Sequence, residues 1–459
     1  MITDLTKGKP SRVLFMFTLP LLGSVVFQQL YNISDSIIAG RFAGEDALAA
    51  IGVSYPVTMI FMAIAMGCNI GSSVIISQLF GSRRMSEMKT AVNTSFVMSA
   101  AISLCILLFG VIFCNPILKL LNTPENIFDD GGVYLNIFTY GLPFLFFYNI
   151  SSGVFTALGD AKTPMYLLIG SSLGNIGLDL LFVAVFGWGV AGAAWATFIA
   201  QGAASVVSVI ILFTRLNKLQ YEIRPKIFDV GLFRRIGAVT IPSVLQQSFV
   251  SVGNLFIQGI INGYGSSVIA GYSAAIKLNT FAIMSFAAAG NAVSSYTAQN
   301  MGAGKTERIK QGYSAGVLIS LAVALPFVLI YFIFCRFRAV SYNRKCFIFC
   351  RHALMLFMEN DQSVTALKTG MEFLKIVSPF YLAVAVKIMT DGLLRGAGSM
   401  RAFMVSTFAD LILRVILSYI LSARFDTLGV WLSWPIGWII ATAIAFFFYK
   451  KGVWKRGLV

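Results

Sequence analysis

The 459-residue sequence has few charged side chains and a single histidine. Asp, Glu, Lys and Arg together make up 12%, against roughly a quarter in soluble domains. Hydrophobic residues make up 57%, and the mean hydropathy is +0.80. A soluble domain could not cover that much apolar surface, which excludes a soluble enzyme and a disordered chain. The apolar runs are continuous rather than alternating, which argues against a β-barrel and favours an all-α, multi-pass membrane protein.

The sequence also lacks the motifs of several catalytic classes. It holds no G-x-x-x-x-G-K-[ST] loop, which argues against an ATP-driven pump in this chain. The one histidine, His352, leaves no Ser/His/Asp arrangement and no set of haem ligands. Cys346, Cys350 and His352 lie close together but lack the paired spacing of a zinc site. We therefore expect no enzymatic activity and no cofactor, and transport driven by an ion gradient is the class that remains.

Twelve apolar segments are long enough to cross a bilayer, which takes about 20 residues. They are 13–38, 49–79, 91–113, 132–156, 164–186, 190–213, 236–261, 268–299, 314–335, 371–394, 402–422 and 427–449. Lys and Arg gather in the loops of one side, which predicts that this side is cytoplasmic. The even number of spans puts both termini there. We expect a plasma-membrane protein whose charge of +16 reflects its orientation in the lipid bilayer rather than binding to nucleic acid.

The two halves of the sequence resemble each other. The equivalent positions are 19–44 and 241–266, Asn69 and Asn291, and the motifs Gln78-x-x-Gly81 and Gln299-x-x-Gly302. Each half holds six spans, so the halves share one in-out direction and form parallel repeats. The sequence therefore predicts two six-helix lobes around a central cavity, an N-terminal lobe over residues 1–222 and a C-terminal lobe over 223–459.

One basic stretch near 330–357 breaks this pattern. It has no counterpart in the first half, and it holds Arg336, Arg338, Arg344, Lys345 and Arg351. The loop should be extracytoplasmic, where Lys and Arg are ordinarily rare. We interpret the stretch as an atypical insertion in the second lobe or as a sequence error, and we expect it to leave the first lobe unaffected.

Two acidic residues lie inside apolar spans of the first half, Asp35 in span 1 and Asp179 in span 5. Charges in the bilayer cost roughly 2.5–3.5 kcal/mol on insertion scales, so such residues are candidates for function. Asn175 lies four residues before Asp179 and shares its helix face, and Thr197 in span 6 adds a hydroxyl. These oxygen ligands suit H+ or Na+, and no other metal is predicted. The alternative is that Asp35 only caps a helix end in headgroup water.

Further polar groups within the spans could line the cavity. They are Tyr31, Asn32, Lys277, Lys387, Asp410 and Arg414. Asp410 and Arg414 are four residues apart, which predicts an ion pair within one helix. Lys277 and Lys387 are expected to be isolated cations. They either reach the membrane interface with their long side chains or line the cavity and bind an acidic group of a substrate.

Several segments together resemble the multidrug and toxic compound extrusion (MATE) family of secondary transporters. They are LPLLGSVVFQQLYNISDSIIAGRF (19–42), GDAKTPMYLLIG (159–170), NIGLDLLF (175–182), GVAGAAWATFIAQ (189–201) and DGLLRGAGSMRAF (391–403). The resemblance covers nearly the whole chain apart from about 330–357. It implies two six-helix lobes around a central cavity. It also implies a monomer that exports small organic, often cationic, compounds in exchange for protons or sodium ions.

The resemblance also carries an ion site over to this sequence. Prokaryotic members with this first-lobe pattern use an aspartate on span 1, an asparagine and an aspartate on span 5 and a threonine on span 6. The matching positions are Asp35, Asn175, Asp179 and Thr197, and all four hold the family's residue types. Other members place an acid on span 7, where segment 244–260 has none. The resemblance therefore implies a coupling site in the first lobe.

Two other functions stay open on the sequence alone. Related two-lobed transporters flip lipid-linked oligosaccharides, and such a cavity should be strongly basic to hold a pyrophosphate. A membrane receptor or assembly factor would be expected to carry a soluble domain, and no long polar stretch separates the spans. Carboxylate, amide and hydroxyl groups serve H+ and Na+ equally, so the coupling ion is open as well.

Overall fold

The computed structural model of the chain describes residues 3–38, 42, 45–121, 123–333 and 364–456, apart from the side chains of 35–37, 45–48, 333 and 456. These residues form helices and no strand. The helices are α1 (Pro10–Ile38), α2 (Glu45–Gly81), α3 (Met85–Leu120), α4 (Glu125–Tyr140), α5 (Leu142–Ala157), α6 (Lys162–Asp179), α7 (Gly189–Leu216), α8 (Val230–Asn262), α9 (Ser266–Gly302), α10 (Thr306–Val328), α11 (Val364–Val377), α12 (Tyr381–Gly396) and α13 (Met400–Lys450). A helix satisfies its own backbone N–H and C=O groups, as an apolar surrounding requires.

The helices account for the twelve predicted crossings. Ten stretches of the described residues are long and apolar enough to span a bilayer, and α4 and α5, bent by 46°, make an eleventh. A straight helix of the 51 residues of α13 would extend about 76 Å at 1.5 Å per residue, more than twice the hydrocarbon thickness. Non-helical dihedral angles at Asp426 (φ 49°, ψ −136°) divide this helix into two crossings. The stretch near 330–357 falls almost wholly outside the described residues.

The turns that lead into α6 and α13 show the internal repeat in detail. Gly159 has φ 76° and Gly398 has φ 77°, a left-handed conformation that a side chain would strain. In each turn the next residue, Asp160 or Ser399, donates its backbone N–H to a carbonyl five residues earlier. The same turn is therefore found at equivalent positions of the two six-helix lobes.

The packing of the helices places the candidate site. In the first lobe α6 packs against both α7 and α1, and α2 packs across the lobe boundary against α8 and α9. The second lobe is held by a buried aromatic cluster, in which Trp431 stacks on Tyr272 and meets the edge of Phe373. The segment 217–229, which joins the lobes between α7 and α8, is not helical.

Candidate ion site and central cavity

Asn175, Asp179 and Thr197 form one polar cluster between α6 and α7. Asp179 ends α6 and is 1% exposed, and Asn175, one turn earlier, is 3% exposed. The Asn175 amide is oriented so that both its oxygen and its nitrogen form hydrogen bonds. In this orientation its nitrogen donates to Asp179 Oδ2 at 2.8 Å. In the same orientation its oxygen accepts the Thr197 backbone N–H at 3.1 Å. The fold thus brings together three of the four residues singled out for the ion site.

The fourth, Asp35, lies in the last two turns of α1, and its side chain is outside the described residues. Its helix packs against α6. Ile38, three residues after Asp35, belongs to a buried cluster with Ala193 of α7, against which Ile176 packs. Ile176 directly follows Asn175 in the sequence. The turn of α1 that carries Asp35 is therefore adjacent to the Asn175–Asp179 segment.

A π-helical turn, Leu180–Val185, follows Asp179 directly. In such a turn the hydrogen bonds run from residue i to i+5 instead of i+4, and π-turns are frequent at functional sites. Nothing in the local sequence predicts it. Asp179 therefore lies at the point where the regular α-helix ends and the π-helical turn begins.

A second polar cluster lies inside the second lobe. Lys387 Nζ is 2.9 Å from Asp391 Oδ2 and 3.9 Å from Asp410 Oδ2. Arg414 Nη2 is 3.4 Å from the same Asp410 oxygen, and the Ser406 hydroxyl donates to Asp391 Oδ1 at 2.9 Å. The four charged residues are at most 8% exposed. Two cations balance two anions, as burial away from water requires.

Lys387 is not the isolated cation expected from the sequence, because Asp391 lies one turn after it on α12. The sequence interpretation missed Asp391, although the four-residue spacing that predicted the Asp410–Arg414 pair would have found it. The ring of Trp434 lies 4.4 Å from the Arg414 guanidinium, a contact that only the tertiary fold creates. Lys387, Asp410 and Arg414 are therefore buried and paired inside the lobe in this structure.

Lys277, Tyr31 and Asn32 differ from that cluster because they reach the surface. The side chains of Lys277 and Asn32 are exposed, and Tyr31 is partly exposed. The Asn32 amide accepts from Gln28 at 3.2 Å and donates to Gln29 at 3.3 Å, which forms a short row of amides on α1. Two helices of different lobes, α1 and α9, thus present polar atoms outside the packed core.

The lobes meet at the basic end, the end whose loops hold most of the Lys and Arg residues. Gln78 of α2 donates from Nε2 to the carbonyl of Gly396, the last residue of α12, at 3.1 Å. Gln299 of α9 donates in the same way to the carbonyl of Ala157, the last residue of α5, at 2.7 Å. Each lobe therefore caps a helix end of the other.

Two glycines let α2 and α9 approach at this end. A Cβ on Gly81 would lie 1.9 Å from the Gln299 carbonyl oxygen, and one on Gly302 would lie 1.9 Å from the Gln78 carbonyl oxygen. No side chain fits at either position without separating the helices. The reciprocal contacts explain why the Gln-x-x-Gly motif occurs once in each half.

The segment 3–9, before α1, bridges the two lobes at the basic end. The Thr3 N–H donates to the Leu158 carbonyl in the first lobe at 3.0 Å. The Leu5 N–H donates to Gln299 Oε1 in the second lobe at 2.9 Å, and Leu5 is buried. This segment adds hydrogen bonds to the interface that the glutamines form.

Charged side chains hold the same segment. Burial raises the pKa of Asp4, but hydrogen bonds from Thr6 and the positive charge of Arg83 outweigh it, and the net pKa of Asp4 is lowered. Arg308 of α10 donates to the Gly8 carbonyl at 2.8 Å. The basic end is thus closed by contacts from three separate parts of the chain.

Comparisons with known proteins agree on one family. The MatE family model matches residues 20–181, 242–346 and 345–420. The chain is 28% identical to "Probable multidrug resistance protein YoeA" of Bacillus subtilis (strain 168), over 98% of this chain and 96% of that protein. It is also 28% identical to "Probable multidrug resistance protein YpnP" of the same strain, over 98% of this chain and 97% of that one.

A solved structure has the same fold. It is described as the outward-facing conformation of a multidrug resistance MATE family transporter, with a TM-score of 0.89, 22% identity and 98% coverage of both chains. Proteins of this kind are transporters rather than enzymes and need no cofactor. The chain, with its helical spans in two lobes, therefore belongs to the MATE family and is a multi-pass membrane transporter that exports small organic compounds.

Proposed function

We propose that the chain is an ion-coupled antiporter that exports organic compounds across the plasma membrane by alternating access. The observation that carries this proposal is the buried cluster of Asn175, Asp179 and Thr197, which lies beside the turn of α1 that carries Asp35. A carboxylate inside a membrane protein is costly, and such residues often mark the pathway of an ion or a proton. The first lobe is therefore assigned the coupling site.

The chemistry of the cluster suits H+ or Na+ as the coupling ion. Carboxylate, amide and hydroxyl oxygens are ligands for a hard cation, and a buried carboxylate can also hold a proton. Asp35 supplies the second carboxylate of the proposed site, and Asn175 orients Asp179 through its amide. The ion is cargo that moves down its gradient and not a resident cofactor.

Closure of the basic end supports alternating access. In the proposed topology this end is cytoplasmic, both termini lie there, and the structure corresponds to the state that is open to the outside. Ion binding at Asp35 and Asp179 would change the bend of α1 near Pro20, an internal proline of that helix. Such a change can drive export only if the ion binds the two states with different affinity.

The sequence predicts cationic substrates from the family resemblance, and this stays a prediction for the chain. The acidic residues of the first lobe are assigned to the coupling ion. Lys277 is an exposed charge that an organic cation would avoid. A monomer is proposed as the transporting unit.

The alternative, a flippase for lipid-linked oligosaccharides, has weaker support. Such a cavity needs several free cations for a pyrophosphate. Lys387 and Arg414 are buried beside Asp391 and Asp410, which neutralise them. Of the three cations predicted within the second-lobe spans, Lys277 is the one with an exposed side chain.

The proposed function is tested with purified protein in liposomes. A proton gradient and a sodium gradient are imposed separately, and efflux of two xanthene dyes is followed, the cation rhodamine 123 and the anion carboxyfluorescein. Asp35→Asn and Asp179→Asn should each lower gradient-driven efflux at least about tenfold, because a neutral amide cannot exchange the ion. The variants should keep the gel-filtration profile of the wild type.

Asp130→Asn is the matched control, since Asp130 is exposed, and it should export at the wild-type rate. Export by Asp179→Asn at the wild-type rate would contradict the proposed site. If neither gradient moves either dye with the wild type, the antiport proposal is wrong, and the flippase alternative is tested with a fluorescent lipid-linked oligosaccharide.

A further inference from the structure

One face of α9 is exposed and largely polar although this helix crosses the membrane. The residues of this face, which we call the α9 stripe, are Ser273, Lys277, Thr280, Met284, Ala287 and Asn291. They recur every three or four residues, so they share one side of the helix. All of them are partly or fully exposed. A polar exposed face in a membrane helix requires contact with water or protein rather than lipid.

Surfaces that contact lipid have a different composition in this molecule. The exposed face of α3 holds Leu104, Leu108 and Ile112, each more than half exposed. This face has no polar side chain along those two turns. The contrast indicates that the α9 stripe borders the space between the lobes and not the acyl chains.

The direction of the α9 stripe agrees with this assignment. Gly302 lies eleven residues (302 − 291) after Asn291, which is three helical turns, and so continues the same face. At Gly302 this face meets the carbonyl oxygen of Gln78, in the first lobe. The α9 stripe therefore continues the face of α9 that meets the first lobe, toward the other end of the molecule.

A matching face lies on α2. Its residues, the α2 stripe, are Gly52, Tyr55, Met59, Met62, Met66 and Asn69, all partly or fully exposed. Tyr55 is 58% exposed, and Met66 contacts Gln247 of α8 in the second lobe. The offset of 222 residues relates Tyr55 to Lys277 and Met62 to Met284. The two stripes thus occupy equivalent positions in the two lobes and line the cavity between them.

Lys277 lies in the first third of α9, eleven residues (277 − 266) after its start and about 16 Å along the helix axis. Its side chain is exposed. A charge on the exposed face of a membrane-spanning helix is more stable beside water or an anion than beside acyl chains. Among the described residues of the two stripes it is the one with a formal charge.

We propose that Lys277 binds an acidic group of the exported compound, so that the substrate class is organic anions or zwitterions with a flat apolar body. This inference rests on the proposed transport function, because it assigns a substrate class to that cavity. The ammonium forms a charge-assisted hydrogen bond with a carboxylate, sulfonate or phosphate. The low dielectric of a cavity within the membrane strengthens that attraction.

The α2 stripe accounts for the apolar part of the substrate. Met59, Met62 and Met66 are flexible, polarisable side chains that adapt to differently shaped aromatic bodies. Tyr55 offers an exposed ring for stacking. Surfaces of this kind bind many ligands because they can repack. The shared feature of the substrates would then be the acid that Lys277 recognises, with a variable aromatic body.

The test compares two dyes with the same xanthene core, the anion carboxyfluorescein and the cation rhodamine 123. Binding to the full-length protein in detergent is measured by fluorescence anisotropy, and efflux is measured in liposomes. Lys277→Met should weaken carboxyfluorescein binding about tenfold, the effect of losing one charge-assisted hydrogen bond. Rhodamine 123 binding should be unchanged or tighter. Lys277→Arg keeps the charge and should stay within about threefold of the wild type.

Lys119→Met is the control for a lost surface lysine, since Lys119 is exposed at the end of α3. The inference is overturned if Lys277→Met binds carboxyfluorescein like the wild type, or if it weakens both dyes equally. Binding that depends on Lys277 without gradient-driven efflux would uphold the inference and contradict the antiport proposal. Gradient-driven efflux of rhodamine 123 alone, unaffected by Lys277→Met, would uphold the antiport proposal and overturn the inference about Lys277.

Discussion

Lys387 stands between two carboxylates in the interior of the second lobe. Its ammonium is 2.9 Å from Asp391 and 3.9 Å from Asp410, so it balances both. Removing one partner of a buried ion pair costs about 3–5 kcal/mol, because the other charge is left without compensation. Exposed pairs contribute about 1 kcal/mol or less. At the residue scale we therefore expect that removing one member of this cluster destabilises the lobe, and we assign the cluster a role different from that of the proposed ion site in the first lobe.

Lys387→Met should lower the thermal unfolding temperature in detergent by several degrees, since a loss of about 3–5 kcal/mol is large against a typical free energy of unfolding. Lys387→Met combined with Asp391→Asn should recover much of it. The matched control is Lys368→Met, which breaks an exposed pair with Glu372 at 3.9 Å. Equal, small shifts for Lys387→Met and Lys368→Met would show that the cluster does not stabilise the lobe.

Single residues could be located from the sequence where the interaction runs along one helix. The four-residue spacing placed Asn175 beside Asp179 and predicted the Asp410–Arg414 pair. Thr197 was a candidate as a hydroxyl within span 6, but its contact with Asn175 on another helix required the fold. The contact between the Trp434 ring and Arg414 could not be predicted from the sequence. It joins the two crossings of α13 and depends on how they fold back on each other.

At the scale of helices, the crossing of α2 and α9 at the basic end depends on two glycines. The carbonyl oxygens of Gln78 and Gln299 occupy the positions where the Cβ atoms of Gly302 and Gly81 would lie. Backbone atoms cannot move aside as a flexible side chain can. The closed end is thus held by main-chain contact as well as by the two glutamine caps.

Gly81→Ala should separate the lobes at the basic end, because its Cβ would lie 1.9 Å from the Gln299 oxygen. The distance between spin labels at Arg84 and Glu307, in a background without the native cysteines, reports this by double electron–electron resonance. We expect a longer mean distance than in the unsubstituted protein. Gly237→Ala is the control, since a Cβ there meets nothing within 4 Å. Indistinguishable distance distributions for the two variants would contradict the account of this interface.

The apolar runs of the sequence predicted the helices, but they did not predict the bend and the π-helical turn within them. The bend between α4 and α5 and the π-turn after Asp179 lie within segments that hydropathy marks as continuous. The non-helical Asp426, in contrast, falls in the gap predicted between spans 402–422 and 427–449. Pro143, just after the bend, was a weak signal because prolines also occur in straight helices. Packing against neighbouring helices decides these features, and composition does not record it.

At the scale of the whole molecule, the two lobes share one architecture but carry different polar chemistry. The first lobe holds its buried carboxylate with an amide and a hydroxyl, a set that can bind an ion. The second lobe fills its interior with two cations and two anions that neutralise each other. The repeat in the sequence predicted the architecture. The bridging of both lobes by segment 3–9 was not predictable, because it uses backbone groups that carry no sequence signal.

This asymmetry leads to a direct expectation about coupling. Because the proposed ion site lies in the first lobe, we expect the ion and the organic compound to bind at separate places that are linked through the movement of the lobes. Loss of Asp179 should abolish the exchange of ions while the cavity keeps its affinity for the compound.

The measurement that tests this most directly follows both fluxes at once in liposomes. Either dye is loaded inside, and uptake of 22Na+ or of protons is recorded together with dye efflux. We predict ion uptake that starts with dye efflux in the wild type and is absent in Asp179→Asn, although that variant still binds the dye in detergent. Dye efflux by the wild type without movement of either ion, or undiminished ion-coupled efflux by Asp179→Asn, would contradict the account.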